Sequence, residues 1–197
     1  VVFSSSSSVY GDTPTLPKSE EMMPNPLSPY AVTKLAGEQY CHVFSQVYGL
    51  NTVCLRYFNV YGPRQDQNSQ YAAVIPKFIH NCINGEAPVI FDDGEQTRDF
   101  TFVKDVVMAN ILAGESNASS IYNISRSERI TINQLANLII TLVDAHVRPV
   151  YREARAGDIK HSLADISRAR SFGFNPEYSL EKGLIKTIQW FRDTRKQ

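Results

Sequence analysis

The sequence has few cysteines and no surplus of charge. Its three cysteines, Cys41, Cys54 and Cys82, are odd in number and form no C-x-x-C pair. This argues against a disulfide framework and favours a reducing, cytoplasmic location. Lys plus Arg and Asp plus Glu number 20 each, so the net charge is zero. A neutral chain has no general attraction for nucleic acid or a membrane surface, and we expect neither as a partner.

The sequence also shows no long apolar run and no metal-ligand pattern, and its first residues do not predict a signal peptide. No run approaches the roughly 18 apolar residues that span a bilayer. Residues 1–3 are apolar but have no basic residues before them and are followed at once by serines. The four histidines show no ligand spacing, so no metal site is predicted. The chain opens inside a predicted strand without Met, and we expect it to begin partway through a larger protein.

Strand and helix signals alternate along the chain, which predicts an α/β fold. A buried strand at residues 1–3 is expected to enter a serine-rich turn at residues 4–8. Ser28 suits an N-cap and Pro29 the first helical position, so a helix should start there and end at Gly49. Residues 52–58 (TVCLRYF) are rich in β-branched and aromatic residues and contain no turn formers, so they predict the next parallel strand.

The rest of the chain predicts further helices and short strands. Strands are expected at residues 89–91, 120–124 and 150–152. Helices are expected at residues 71–84 and 103–115. A third should start at a capping box formed by Thr131 and Gln134, and a short fourth should run from Asp165 to Gly173. The last should start at an N-cap formed by Ser179.

Tyr30 and Lys34 form the pattern Y-x-x-x-K on the first predicted helix. Spacing i, i+4 places both side chains on one helix face. An ammonium beside a phenol favours the phenolate, so Tyr30 becomes a usable general base for a hydroxyl proton. Such pairs also occur by chance on many helices, so the flanking sequence must show whether Tyr30 and Lys34 are catalytic.

Four ordered blocks supply that context: FSSSSSVYGD, SPYAVTK, LRYFNVYGPRQ and TRDFTFVKDV. With them the chain resembles the extended short-chain dehydrogenase/reductase family, in particular its UDP-hexose and UDP-N-acetylhexosamine 4-epimerases. The resemblance covers essentially all 197 residues, beginning at the family's fifth strand. It implies NAD as cofactor, a UDP-sugar substrate and a homodimer. The family's G-x-x-G-x-x-G turn does not occur in this sequence, so the chain is expected to bind NAD weakly.

The resemblance also implies a domain organisation. Residues 1–64, with later segments near 100–125, would form the C-terminal part of a Rossmann-type doubly wound parallel sheet. Residues 65–197 would form mainly a small mixed α/β domain that binds the nucleotide-sugar.

The same resemblance implies roles for individual residues. The catalytic residues would be Ser6, Tyr30 and Lys34. The cofactor would contact Ser4, Tyr30, Lys34, Tyr57 and Phe58. The nucleotide-sugar would contact Ser6, Ser7, Asn59, Val74, Phe91, Arg98, Arg155, Asp158 and Ser162. Core packing is the alternative for the aromatic residues, a turn for Asn59 and Asp158, and an ordinary surface position for the arginines.

Within this set, Arg98 and Arg155 match the two arginines that hold the diphosphate in the similar enzymes. Arginine suits this role, because its guanidinium group can bind two phosphate oxygens at once. Asp158 matches a carboxylate that binds a ribose hydroxyl, and Phe91 would stack on uracil.

Ser7 and Ser8 narrow the expected reaction. Similar 4,6-dehydratases carry Asp-Glu at these two positions, and serines supply that acid–base chemistry poorly. Epimerisation needs only Tyr30, Ser6, Lys34 and the nicotinamide: O4 loses its proton, C4 loses hydride, and the 4-keto sugar is reduced on its other face.

Ser162 stands where similar hexose-restricted epimerases carry a bulky tyrosine, so an N-acetyl group has room. We therefore expect a UDP-GlcNAc/UDP-GalNAc 4-epimerase, with UDP-Glc/UDP-Gal as a further substrate pair. The alternatives are another sugar-nucleotide epimerase or dehydratase, or a fragment that only binds nucleotide-sugar.

Overall fold

The computed structural model describes residues 1–66, 74–154 and 159–194. Within these ranges the strands are β1 (Val2–Ser6), β2 (Val53–Tyr57), β3 (Val60–Tyr61), β4 (Val89–Phe91), β5 (Thr97–Asp99), β6 (Thr101–Phe102), β7 (Ile121–Ile124), β8 (Arg129–Thr131) and β9 (Val150–Arg152). The helices are α1 (Pro29–Tyr48), α2 (Val74–Ile83), α3 (Val103–Glu115), α4 (Ile132–Val143) and α5 (Leu180–Thr194). None of the described helices has the length and apolarity needed to cross a membrane.

A parallel sheet of order β1–β2–β7 lies at the centre of the first part of the chain. Ser6 pairs with Tyr57, and Tyr57 pairs with Ile124, so the carboxyl ends of all three strands meet at one edge. The other strands form pairs: β3–β6 and β4–β9 are parallel, and β5–β8 is antiparallel. The predicted α/β class with a parallel sheet is confirmed.

Helix α1 has the limits that its sequence predicts. The Ser28 side chain accepts a hydrogen bond from the Ala31 amide at 3.1 Å, and Pro29 occupies the first turn. Gly49 ends the helix with a φ of 66°, a left-handed conformation that favours glycine. Gly37 lets the helix approach β1, because a β-carbon there would collide with the Phe3 ring.

Two predicted elements are wrong. The serines at residues 4–8 do not form a turn, because β1 continues to Ser6 and stays paired with β2; a 3₁₀ helix (Ser7–Tyr10) follows. The helix expected from Asp165 is a 3₁₀ helix, Ala169–Phe172, although it ends at Gly173 as predicted. The Asp165 carboxylate instead accepts from the Ser167 amide at 2.8 Å, which forms a local turn.

Other predicted elements are found with small shifts. Helix α2 begins at Val74 among the described residues, and the expected positions 71–73 lie outside them. The capping box at Thr131 is confirmed: its hydroxyl and the Gln134 side chain each bond the other residue's amide. Ser179 caps α5 through the Lys182 amide, at 3.2 Å.

The apolar side chains gather into two clusters. One lies against the β1–β2–β7 sheet and includes Val9, Leu55, Phe58, Ile124 and Phe174. The other joins α2, α4 and α5 and includes Phe78, Ile90, Leu135, Ile139 and Leu184. We propose that these clusters are the cores of the two expected domains; the boundary near residue 64 stays a prediction.

Candidate active site

Tyr30 and Lys34 lie beside the end of β1. Tyr30 is in the first turn of α1, and its side chain is 46% exposed. The Lys34 Nζ lies 5.5 Å from the centroid of the Tyr30 ring. The same ammonium donates a hydrogen bond to the Ser4 carbonyl oxygen at 2.9 Å. The fold thus brings the Y-x-x-x-K pair onto the serine-rich strand end, with an accessible phenol beside a fixed ammonium.

The serine hydroxyls at this edge have different surroundings. Ser6 is the last residue of β1, and its Oγ accepts from the Ser8 amide at 3.1 Å, capping the 3₁₀ helix. Ser7 lies beyond the strand and lines a small cavity. The Ser4 hydroxyl lies 3.1 Å from the Tyr57 hydroxyl, which donates to Asn110 Oδ1 at 3.0 Å. Tyr57 therefore belongs to the same polar edge.

Phe58 lies in a different environment from Tyr57. Its side chain is only 1% exposed and packs near Tyr10, with 6.2 Å between ring centroids. This burial favours the core-packing role for the Phe58 side chain. A contact of Tyr57 or Phe58 with a cofactor stays a prediction.

A buried ion pair that was not predicted holds α1, the helix that carries Tyr30 and Lys34. Glu38, one turn after Lys34, and Arg56 on β2 are each 2% exposed. Arg56 Nε and Nη2 donate to the two Glu38 oxygens at 2.9 and 2.7 Å, and Ser5 Oγ donates to the same carboxylate at 2.5 Å. The pair fixes α1 against β1 and β2. The signal in the sequence was Glu38 on the inner face of α1, four residues after Lys34.

A cavity of about 570 Å³ opens beside the second cluster. Its size suits a nucleotide, since ligand pockets have volumes of about 300–1,000 Å³. Four of the predicted nucleotide-sugar residues line it: Asn59, Val74, Phe91 and Arg98. The polar lining residues that the sequence analysis missed are Lys77, Asn81, Gln96 and Arg152. Of these four, only Gln96 adjoins one of the sequence blocks that carry the family resemblance, the block TRDFTFVKDV that begins at Thr97.

Hydrogen bonds hold Asn59 and Arg98 at the cavity wall. Asn59 has a φ of 35° and donates through Nδ2 to the Asp99 carbonyl at 2.8 Å and to Ser162 Oγ at 3.4 Å. Arg98 Nη1 donates to the carbonyls of Thr97 and Lys160 at 3.0 and 3.3 Å. Both side chains are therefore held in place by the surrounding backbone.

A second cavity of about 40 Å³ adjoins the first, because Asn59 and Arg98 line both. Ser7 and Ser162 line it too, and Ser162 is 8% exposed. Buried Lys18, which the sequence analysis did not select, completes one wall. Six predicted residues thus share two adjoining cavities: Ser7, Asn59, Val74, Phe91, Arg98 and Ser162. Arg155 and Asp158 lie outside the described residues.

Asp99 joins the segments that form these walls. It is fully buried, and its Oδ2 accepts from Ser125 Oγ at 2.7 Å and from the Ala164 amide at 3.0 Å. Burial raises the pKa of this carboxyl to about 6, although the hydrogen bonds act in the opposite direction. Within the described part of the chain, no group of three or more His, Cys, Asp and Glu residues could hold a metal ion.

Comparisons with known proteins agree with this fold. The structure superimposes with a TM-score of 0.96 on a UDP-N-acetylglucosamine 4-epimerase from Methanobrevibacter ruminantium, solved with UDP-N-acetylmuramic acid; sequence identity is 48%. The TM-score is 0.95 and identity 40% for a Thermotoga maritima UDP-glucose 4-epimerase solved with UDP-glucose. Each match covers 98% of this chain and 63% of the other.

Among curated sequences, a Mycolicibacterium smegmatis UDP-glucose 4-epimerase is 38% identical over 192 residues, which are 96% of this chain and 61% of that protein. This chain therefore spans somewhat over 60% of the length of these relatives. Residues 1–125 match the model of the NAD dependent epimerase/dehydratase family. The parallel sheet and the Tyr30–Lys34 pair at its edge agree with this match. The chain therefore belongs to the NAD dependent epimerase/dehydratase family.

Proposed function

We propose that the protein is an NAD-dependent 4-epimerase that interconverts UDP-GlcNAc and UDP-GalNAc, with UDP-Glc and UDP-Gal as a second substrate pair. The observation that carries the proposal is the exposed Tyr30 phenol beside the Lys34 ammonium, on a sheet edge that bears serine hydroxyls. A cavity of nucleotide size, about 570 Å³, lies in the same structure. The relatives with 48% and 40% identity are 4-epimerases of UDP-N-acetylglucosamine and UDP-glucose.

The strand end has a donor set that suits NAD. Lys34 holds its ammonium at the edge through the Ser4 carbonyl, and the Ser4 and Tyr57 hydroxyls lie next to each other. Hydroxyls and an ammonium are groups that bind ribose and amide oxygens. The residues that would hold the cofactor are Ser4, Tyr30, Lys34, Tyr57 and Phe58. When bound, the nicotinamide supplies a hydride acceptor and donor for C4 of the sugar.

Proton transfer is the task of this chain's own residues. Tyr30 takes the proton from O4 as the ketone forms and returns it when the alcohol is restored. The bond to the Ser4 carbonyl fixes the Lys34 ammonium beside β1, with its Nζ 5.5 Å from the centroid of the Tyr30 ring. Ser6 orients the same O4 hydroxyl from the strand end. Since one base serves both directions, no further acid or base is needed.

The predicted nucleotide-sugar residues would contact different parts of the ligand. Arg98 would pair with the diphosphate together with Arg155, and Phe91 would stack on uracil. Asp158 would bind the ribose, and Val74 would contact the nucleotide through its backbone. Asn59 and Ser162 lie 3.4 Å apart at the junction of the two cavities, where the sugar would bind. The small Ser162 side chain leaves space for an acetamido group.

Dehydration is the competing reaction in this family. The dehydratase pattern needs acidic groups after Ser6, whereas Ser7 is a hydroxyl that lines the small cavity. We infer that elimination of water is not supported by this site. Analysis of the products by NMR distinguishes the reactions, because a 4-keto-6-deoxy sugar would reveal a dehydratase.

We further propose a cytoplasmic homodimer. Helix α1 leaves a row of apolar side chains exposed, which includes Val32, Tyr40, Val43, Phe44 and Val47. Contiguous apolar patches of this kind mark protein interfaces. Light scattering should give twice the monomer mass, and a monomer with unchanged activity would contradict the proposal.

The decisive assay uses the product of the complete gene, supplied with NAD. UDP-GlcNAc and UDP-Glc are offered separately, with UDP-glucuronate to test the rival uronate epimerase. We expect UDP-GalNAc to form from UDP-GlcNAc, and no conversion of either leading pair would overturn the proposal. Calorimetry with UDP and with NAD tests the remaining alternative, and it uses the product of the complete gene beside residues 1–197. The complete protein should bind both ligands, whereas one that binds UDP with no measurable NAD affinity would only bind nucleotide-sugar.

A further inference from the structure

Two cysteines that are far apart in the sequence meet between α1 and β2. Cys41 lies on the inner face of α1, three residues after Glu38. Cys54 lies on β2, two residues before Arg56. The side chains of Cys54 and Arg56 therefore point to the same face of the sheet. Glu38 and Arg56 are joined by two hydrogen bonds, which fixes the alignment of the helix on the strand.

A second contact extends that alignment to the cysteines. The Thr52 hydroxyl donates to the Cys41 carbonyl at 3.1 Å. Thr52 directly precedes β2, and Cys54 and Arg56 are alternate residues within it. Helix α1 is therefore bonded to this segment on both sides of Cys54. The Cys54 thiol interacts with that of Cys41, and burial, followed by this neighbour, raises the pKa of Cys54.

The two thiols differ in their access to solvent. Cys54 is 4% exposed, whereas Cys41 is partly exposed. Both line a cavity of about 330 Å³ between α1 and the start of β2, together with His42 and Ser45. A reagent can therefore reach Cys41 first, and Cys54 lies behind it.

We propose that Cys41 and Cys54 form a redox-active thiol pair, which a small-molecule disulfide such as glutathione disulfide converts to an intramolecular disulfide. The Cys41 thiolate attacks one sulfur of the reagent, which releases one thiol and leaves a mixed disulfide on Cys41. The Cys54 thiolate then displaces the second thiol. Two protein thiols are oxidised, one disulfide reagent is reduced to two thiols, and the two protons go to solvent or to these thiols.

The sequence offers a direct way to detect this bond. Trypsin cuts after Lys34 and Arg56, so one peptide, residues 35–56, contains both cysteines. Cys82 lies in another peptide and is buried, which makes it an internal control. The product of the complete gene is treated with glutathione disulfide, its free thiols are blocked with iodoacetamide, and it is then digested.

The expected result is peptide 35–56 without alkylation and lighter by two hydrogen atoms, with Cys82 unmodified by glutathione. A reducing agent should restore both alkylation sites. The proposal is overturned if both cysteines remain fully alkylated, or if glutathione stays on Cys41 as the final product. Neither result depends on epimerase activity.

Single variants test the order of attack. Cys54→Ser should accumulate glutathione on Cys41, because the resolving thiol is missing. Cys41→Ser should leave Cys54 unmodified over the same time, since its thiol is buried. Cys82→Ser is the matched control and should behave as the unmodified protein does. Equal modification of Cys54 in the presence and absence of Cys41 would contradict the assigned order.

Discussion

The strand edge proposed for catalysis and the cavity proposed for the nucleotide are built in different ways. At the edge, Tyr30 and Lys34 come from a single helix whose start and end are set by Ser28 and Gly49. The cavity takes Asn59, Arg98 and neighbouring residues from segments far apart in the sequence. A local pattern thus specifies the reacting groups, whereas long-range contacts specify the space that would hold the substrate.

The two regions also differ in what fixes them. A buried ion pair, Glu38–Arg56, attaches α1 to the sheet. At the cavity, the single carboxylate of Asp99 binds Ser125 and the Ala164 amide, while its backbone carbonyl binds Asn59. Changes at the edge should therefore affect catalysis or the helix. Changes at the cavity should affect ligand choice and pH dependence.

The largest effect is expected from Tyr30→Phe. Removing the phenol hydroxyl removes the general base, which contributes typically about 10²- to 10⁴-fold. The epimerisation rate of the product of the complete gene should fall by that order, and UDP affinity in calorimetry should change little. Tyr48→Phe is the matched control, because Tyr48 lies exposed at the end of the same helix. A Tyr30→Phe protein with full rate would remove Tyr30 from the mechanism.

Glu38→Gln should chiefly lower stability. The change leaves the buried Arg56 guanidinium without its counter-charge, and breaking a buried pair costs about 3–5 kcal/mol. Urea unfolding followed by circular dichroism measures the loss. Gln39→Ala, at the next and exposed position of α1, is the control and should change the free energy of unfolding little. A loss below about 1 kcal/mol for Glu38→Gln would show that the pair does not hold the helix.

Asp99 should make stability depend on pH. Its folded pKa is raised from 3.8 to about 6, so the folded state keeps the proton over a range where the unfolded state has lost it. The free energy of unfolding should therefore fall as the pH rises from about 4 to 6, by up to about 3 kcal/mol, and then level off with respect to this group. Urea titrations at several pH values measure the slope.

Asp99→Asn provides the comparison for that titration. It keeps a side-chain oxygen for Ser125 and the Ala164 amide but cannot titrate. The slope between pH 4 and 6 should become flatter in this variant. An unchanged slope would assign the pH dependence to other groups.

Sequence patterns predicted the elements whose signals are local. The Ser28 cap, Pro29 and Gly49 define α1, and the Thr131 capping box defines the start of α4. The parallel sheet and the Tyr30–Lys34 contact follow from elements of this kind.

The short strands could not be predicted in this way. Strand β5 exists because it pairs with β8, about 30 residues later, and its three residues have no periodicity of their own. Ser4 to Ser6 lack strand propensity but are held in β1 by β2. The cavity residues Lys77 and Arg152 were missed for the same reason, since only the folded chain brings them together.

The smallest expected effect concerns substrate choice at Ser162. Its side chain is 8% exposed and meets Asn59 at the junction of the two cavities, so a larger residue would occupy the space proposed for the acetamido group. Ser162→Tyr should lower the rate with UDP-GlcNAc relative to UDP-Glc by about ten- to a hundredfold, because pocket-size discrimination is worth about 1–3 kcal/mol.

Competition between the two substrates in one reaction measures this ratio without differences in enzyme concentration. Ser162→Ala is the control, because it removes the hydroxyl without adding volume and should leave the ratio nearly unchanged. Equal losses with both substrates in Ser162→Tyr would indicate damage to the cavity wall through Asn59. An unchanged ratio of the rates with UDP-GlcNAc and UDP-Glc would mean that the acetamido group does not bind in the small cavity. The cavity would then not select the substrate, but the proposed role of Tyr30 would be unaffected.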